Sequence, residues 1–176
     1  MKKVVGTIIT LVIGGVVFTF SQADVVKNFS KDTGLSQQEA QQYVNNIKKE
    51  DLASFDKIGS DFISFGQNVE KMANGIDCNN YTYKWESNNL SCEEGKSQVY
   101  TLGVNEVDLG DAYKVLDTKT ATKDDMSLVI RDIDTLNADL GLDVVTSLLD
   151  QSFIGELKKE NSYNKALIEA ALDSNH

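Results

Sequence analysis

The side chains best placed to do chemistry lie close together in one short stretch. CNNYTYKWESNNLSC, residues 78 to 92, contains Cys78 and Cys92, the only two cysteines, together with Tyr81, Tyr83 and the single tryptophan, Trp85. Fourteen positions separate the two thiols, which excludes CxxC redox chemistry, and two thiols alone are too few for a structural zinc site. One disulfide is the simplest use of the pair, and closing such a loop stabilises a fold by about 3 kcal/mol on the chain-entropy view. Tyr81, Tyr83 and Trp85 alternate with polar residues, so in a strand the three rings share a face. Ser87-Asn88-Asn89 is turn chemistry, and Leu90 to Cys92 would return as the partner strand. A disulfide-pinned hairpin near residues 79–102 is therefore expected. Its aromatic face is first a core surface, because three rings bury far more area than an exposed loop usually gives up. At its rim it is a candidate binding site, since Tyr and Trp are favoured interface anchors.

Other catalytic constellations are missing their parts. The single histidine is His176, the last residue, where a fixed imidazole is not expected. That leaves Ser-His-Asp, Cys-His and the usual zinc-hydrolase arrangements without a member. No glycine-rich phosphate loop occurs. Carboxylates remain, and two of them 5–10 Å apart would serve a hydrolase, but nothing in the sequence selects two from 27. The acidic run Asp132–Asp143 fails the calcium-loop pattern, because Ile133 and Leu136 continue a helical apolar face. No metal and no cofactor is expected, and the chain reads as a non-enzyme.

The N-terminus directs where these residues go. Lys2 and Lys3 precede an uncharged, mostly apolar run from Val4 to Phe20, followed by Ser21-Gln22-Ala23. This has the form of an export leader cut after Ala23. The alternative is an uncleaved anchor, although seventeen residues span only about 25 Å of a hydrocarbon core of about 30 Å. Either places residues 24–176, as a single domain, outside the cytoplasm in a periplasmic or extracellular setting, where a disulfide persists. Removing residues 1–23 takes two lysines and no acids, moving the net charge from −10 to −12. A surface this acidic repels nucleic acid. Membrane contact would depend on retaining residues 1–23.

The elements that must position these groups are mainly helical. No proline occurs, so glycine and asparagine supply the punctuation. Val25, Val26 and Phe29 mark a first helix closing at Gly34, and Ser36 with Glu39 forms a capping box for a second. Phe55, Ile58, Phe62, Phe65, Val69 and Met72 recur at helical steps up to Asn74-Gly75. Gly59 and Gly66, seven apart within that run, would admit a neighbouring helix at close range. Val99–Leu102 reads as a strand, followed by a glycine-punctuated segment with a short helix from Asp111 to Leu116. Thr122 with Asp125 caps a helix carrying Met126, Val129, Ile133, Leu136 and Leu140. Asp143 would cap another, and Asn161 or Ser162 would open the last. The expected fold is a small bundle of five or six helices with the one hairpin. By elimination, the expected function is binding another protein, as an inhibitor, immunity-type protein, chaperone or accessory subunit. A membrane-anchored structural subunit and a carboxylate-dependent hydrolase are the alternatives.

Overall fold

The computed structural model describes residues 6–48, 54–80, 89–118 and 120–174. Two strands come first, β1 (Ile8–Ile13) and β2 (Val16–Ser21). The helices are α1 (Gln22–Thr33), α2 (Gln37–Asn46), α3 (Phe55–Asn74), α4 (Cys92–Leu116), α5 (Lys123–Asp139), α6 (Asp143–Leu148) and α7 (Gln151–Asp173). The fold is mainly α with a small antiparallel hairpin and the Cys78–Cys92 disulfide, as the sequence implies. The hairpin, however, lies at the N-terminus.

Local chemistry explains most boundaries. Ser36–Glu39 and Thr122–Asp125 form the expected capping boxes, and Ser91–Glu94 forms a third at the start of α4. Gly34, in the left-handed region at φ 72°, closes α1. Ser54 caps α3, and Asp117, at the end of α4, accepts from the Ser54 hydroxyl at 3.0 Å and from the Asp56 amide. One carboxylate thus joins the start of α3 to the end of α4.

α3 and α4 form the central antiparallel pair. Gly59 faces Gly110, and Gly66 faces Gly103, each pair in backbone contact range. A methyl group on Gly66 would lie 2.5 Å from the Gly103 carbonyl oxygen, and one on Gly110 would lie 2.5 Å from that of Gly59. Around this seam Tyr113 stacks between Phe55 and Phe62, with ring centroids 5.6 and 5.7 Å away. Phe29, Tyr43 and Tyr163 form a second aromatic cluster joining α1, α2 and α7.

Several sequence expectations are corrected here. Val99–Leu102 is not a strand, and Leu90 to Cys92 is not a return strand. Cys92 opens α4, a single helix that absorbs the whole glycine-punctuated segment. Its β-branched and aromatic residues favour a strand locally, but Val99 and Leu102 are buried on a helical face and the helix contact outweighs that preference. Asp143 is the first residue of α6 rather than its cap. Asn161 and Ser162 lie inside α7, which begins ten residues earlier behind the Asp150 cap.

The N-terminal hairpin is built by Gly14-Gly15, whose φ values of 56° and 78° are those of the tight turn that matches strand twist. Ile8 pairs with Ser21, Thr10 with Thr19, Val12 with Val17 and Ile13 with Val16. Ile13, Phe18 and Phe20 point inward and are buried. β2 lies against α1 and α7, while the turn rests on the α4–α5 connection at Thr118 and Ala121. The segment expected as a leader or anchor thus contributes three side chains to the core. Among the described residues no helix is long and apolar enough to cross a membrane.

Candidate functional site

The disulfide expected between Cys78 and Cys92 is present, with the Cα atoms 5.5 Å apart. It ties the turn after α3 to the first residue of α4. Tyr81, Tyr83 and Trp85 lie outside the described residues, so the aromatic rim gains no geometry. On its flank, Asp77 accepts from the Asn80 side chain at 2.6 Å and the Asn79 amide at 3.0 Å, and these bonds lower its pKa.

Three other groupings were not singled out in the sequence. The first is the carboxylate cluster around Lys165, whose amine lies 2.6 Å from Asp134, 3.6 Å from Asp32 and 3.9 Å from Glu169. Burial alone would lower the Lys165 pKa, but the Asp134 bond and the charges of Asp32, Asp134 and Glu169 together raise it. Glu169 is raised by burial and by Asp32, against the pull of Lys165 and Lys31. These acids converge, yet they converge on a cation that ties α1, α5 and α7 together. That is the geometry of an ion-pair network. Among the described residues no group of acids, cysteines and histidines has the geometry to hold a metal ion.

The second grouping is the polar interior. Glu106 is fully buried on α4, and neither carboxylate oxygen meets a hydrogen-bond partner among the described residues. Burial pushes its pKa up to about 8, so it is largely protonated in the folded chain at neutral pH. Tyr113 lies two turns further along α4, its ionisation suppressed by burial and only partly restored by Asn164. Asn161 donates to Asn137 at 3.1 Å, joining α7 to α5. A small cleft of about 340 Å³ lies elsewhere, between Phe20, Asp24 and Lys27 on one side and Ala170 and Asp173 on the other. Asp24 there is already engaged with the Ser21 hydroxyl at 2.6 Å.

The third grouping is the outer face of the hairpin. Ile8, Val12 and Val17 are 67%, 55% and 62% exposed, and Val16 beside the turn is 46% exposed. Thr10 and Thr19, cross-strand neighbours, are exposed between them. No charged residue occurs from Val4 to Ala23. A contiguous, uncharged, β-branched surface is unlike the rest of this acidic molecule, and such patches mark contact sites. Its signal in the sequence is two six-residue runs rich in β-branched and aromatic residues around Gly-Gly. The same composition also suits an export leader, which concealed it.

No protein-family model matches the chain, and neither a curated protein nor a solved structure matches it.

Proposed function

We propose that this protein is an exported, disulfide-bonded binding module that keeps its N-terminal segment and uses it as a docking hairpin. The observation that carries the reading is the outer face of β1 and β2, where Ile8, Val12 and Val17 stand exposed on a segment whose inner side chains are core. A face with no charge and two hydroxyls is suited to another protein surface, not to a phosphate or a small acid. The disulfide supports an oxidising compartment, periplasmic or extracellular. The carboxylate-hydrolase alternative has little support, because the acids that converge, Asp32, Asp134 and Glu169, do so as ion-pair partners of Lys165.

The test uses the protein from its host with a C-terminal tag, alongside a Val12→Lys, Val17→Lys variant. The expected result is a full-length bait two hydrogens lighter than its reduced form. A protein should co-purify stoichiometrically with the wild type and be lost with the variant. A bait cut after Ala23, or capture that the variant leaves unchanged, would refute docking through the hairpin.

A further inference from the structure

The hairpin has an open edge as well as an open face. Gln22 donates its amide to the Thr7 carbonyl at 2.8 Å, which fixes the phase of the ladder. Residues 9, 11 and 13 of β1 therefore direct their backbone groups at β2, and Ile8, Thr10 and Val12 direct theirs outward. Among the described residues the sheet has two strands only, so nothing pairs with that outer row. β2, not β1, is the strand against α1 and α7, which leaves β1 on the outside.

Natural sheets blunt such edges with lysine, proline, a bulge or an inward charge. β1 has none of these: its sequence is IITLVI, and its neighbours Gly6 and Thr7 are uncharged. The strand is also self-complementary. About a two-fold axis through Thr10, Ile8 falls opposite Val12 and Ile9 opposite Leu11, while Thr10 meets Thr10. From residue 8 to residue 12 every apolar side chain meets an apolar one and hydroxyl meets hydroxyl, and only Ile13, at the end of the strand, falls opposite Thr7. All 27 acids lie beyond residue 23, so the contact itself brings no carboxylates together.

We infer that β1 pairs antiparallel with β1 of a second copy, joining two hairpins into one four-stranded sheet through a two-fold axis at Thr10. This rests on the reading of the hairpin as the docking element and names its partner. A lipid surface is a poor occupant, because a two-stranded hairpin would carry two rows of unpaired backbone groups into hydrocarbon. A strand from a different protein would need no two-fold relation at Thr10, and the test separates the two.

The experiment uses purified full-length protein and measures mass by light scattering across a dilution series. Wild type is expected to be a dimer, and Thr10→Lys is expected to weaken association at least tenfold. Thr10 is exposed, so that variant should keep the wild-type helical spectrum, and at dilutions where both proteins are monomeric it should keep the wild-type melting temperature. In a second measurement, Thr10→Cys should form a disulfide dimer under mild oxidation, because directly paired residues lie about 5.5 Å apart. Val17→Cys, on the same face but on the far strand, should not. A wild-type monomer, a dimer indifferent to Thr10→Lys, or equal cross-linking at both positions would overturn the inference. A wild-type monomer that still loses its partner in the Val12→Lys, Val17→Lys capture would overturn the two-fold pairing alone and leave the docking hairpin standing. Loss of the hairpin by cleavage after Ala23 would overturn both.

Discussion

In the α3–α4 seam, Gly59, Gly66, Gly103 and Gly110 have ordinary helical backbones and matter for the space they leave, whereas in the N-terminal turn Gly14 and Gly15 matter for a backbone that other residues adopt only at a cost. The seam glycines let two helices touch along their main chains, and each pays roughly 1 kcal/mol in helix propensity to do so. The turn glycines let two apolar strands fold back within two residues. The seam is closed and fully used. The hairpin is half used, its inner face in the core and its outer face and edge open. What separates the two regions is thus whether the surface that glycine creates is consumed within the chain or left for something else.

The seam should break most severely. Replacing Gly110 with valine places its Cβ 2.5 Å from the Gly59 carbonyl oxygen and 2.7 Å from Ile63 Cγ1. Because backbone is met, the helices must separate, and we expect a loss of about 4 kcal/mol, above the usual range for overpacking. Urea unfolding followed by circular dichroism measures it. A loss below about 1 kcal/mol would mean that the two helices do not touch through their glycines.

The inner face of the hairpin comes next. Phe20→Ala removes a ring that is 6% exposed and should cost about 3 kcal/mol in the full chain, as large-to-small core changes do. The same substitution distinguishes a folded hairpin from a leader. If residues 1–23 were absent from the working protein, Phe20→Ala would leave its unfolding midpoint unchanged.

How much of this was legible in the sequence follows from the same contrast. α3 and α5 could be read because their apolar residues keep a 3.6 period over several turns, and the caps at Ser36 and Thr122 because hydroxyl and carboxylate stand at the required spacing. Half of the seam was legible from Gly59 and Gly66. Its other half was not, because Gly103 and Gly110 looked like breaks in a chain already biased toward strand by Val99, Tyr100 and Thr101. Asn161 was mistaken for a cap because asparagine is common there, whereas in α7 it is a buried bonding group. The hairpin was missed because an uncharged apolar run after two lysines satisfies an export leader and a β-hairpin equally well. Of the candidate site, only the disulfide was both foreseen and found. The exposed face depends on which side of β1 meets the helices, and that is tertiary information.

Glu106 tests the face of α4 that also makes the seam, since it lies three residues after Gly103 and four before Gly110. A carboxyl whose folded pKa is raised from about 4.5 to about 8 favours the folded state fully below pH 4.5, and that contribution is lost as pH rises through 8. Wild-type stability should therefore fall between pH 5 and 8 by up to about 1.4 kcal/mol per unit from this group. Glu106→Gln removes the titration while keeping the shape. It is expected to gain about 2 kcal/mol at pH 8, part of the benefit being offset by burying an amide without a full set of partners. Unfolding midpoints across that pH range give the result, and parallel profiles for the two proteins would show that Glu106 is not buried as described.

The smallest effect belongs to the turn, and it separates the two uses of glycine. Gly15 is exposed with φ at 78°, so a side chain there meets a conformational penalty. Gly15→Ala should cost about 1 kcal/mol and Gly15→Asn about half of that, since asparagine enters the left-handed region more readily. At Gly14 the ranking should vanish. Any Cβ there would lie 2.5 Å from the Thr118 carbonyl oxygen and 2.6 Å from Ala121 Cβ, so alanine and asparagine should both cost more than at Gly15. Measured as four unfolding midpoints in one buffer, the series has two possible forms. A rescue by asparagine confined to Gly15 means that the turn rests on the α4–α5 connection and the hairpin is docked. Equal rescue at both positions means that the turn stands free, in which case the inner face of β1 and β2 would have to be held by β2 alone.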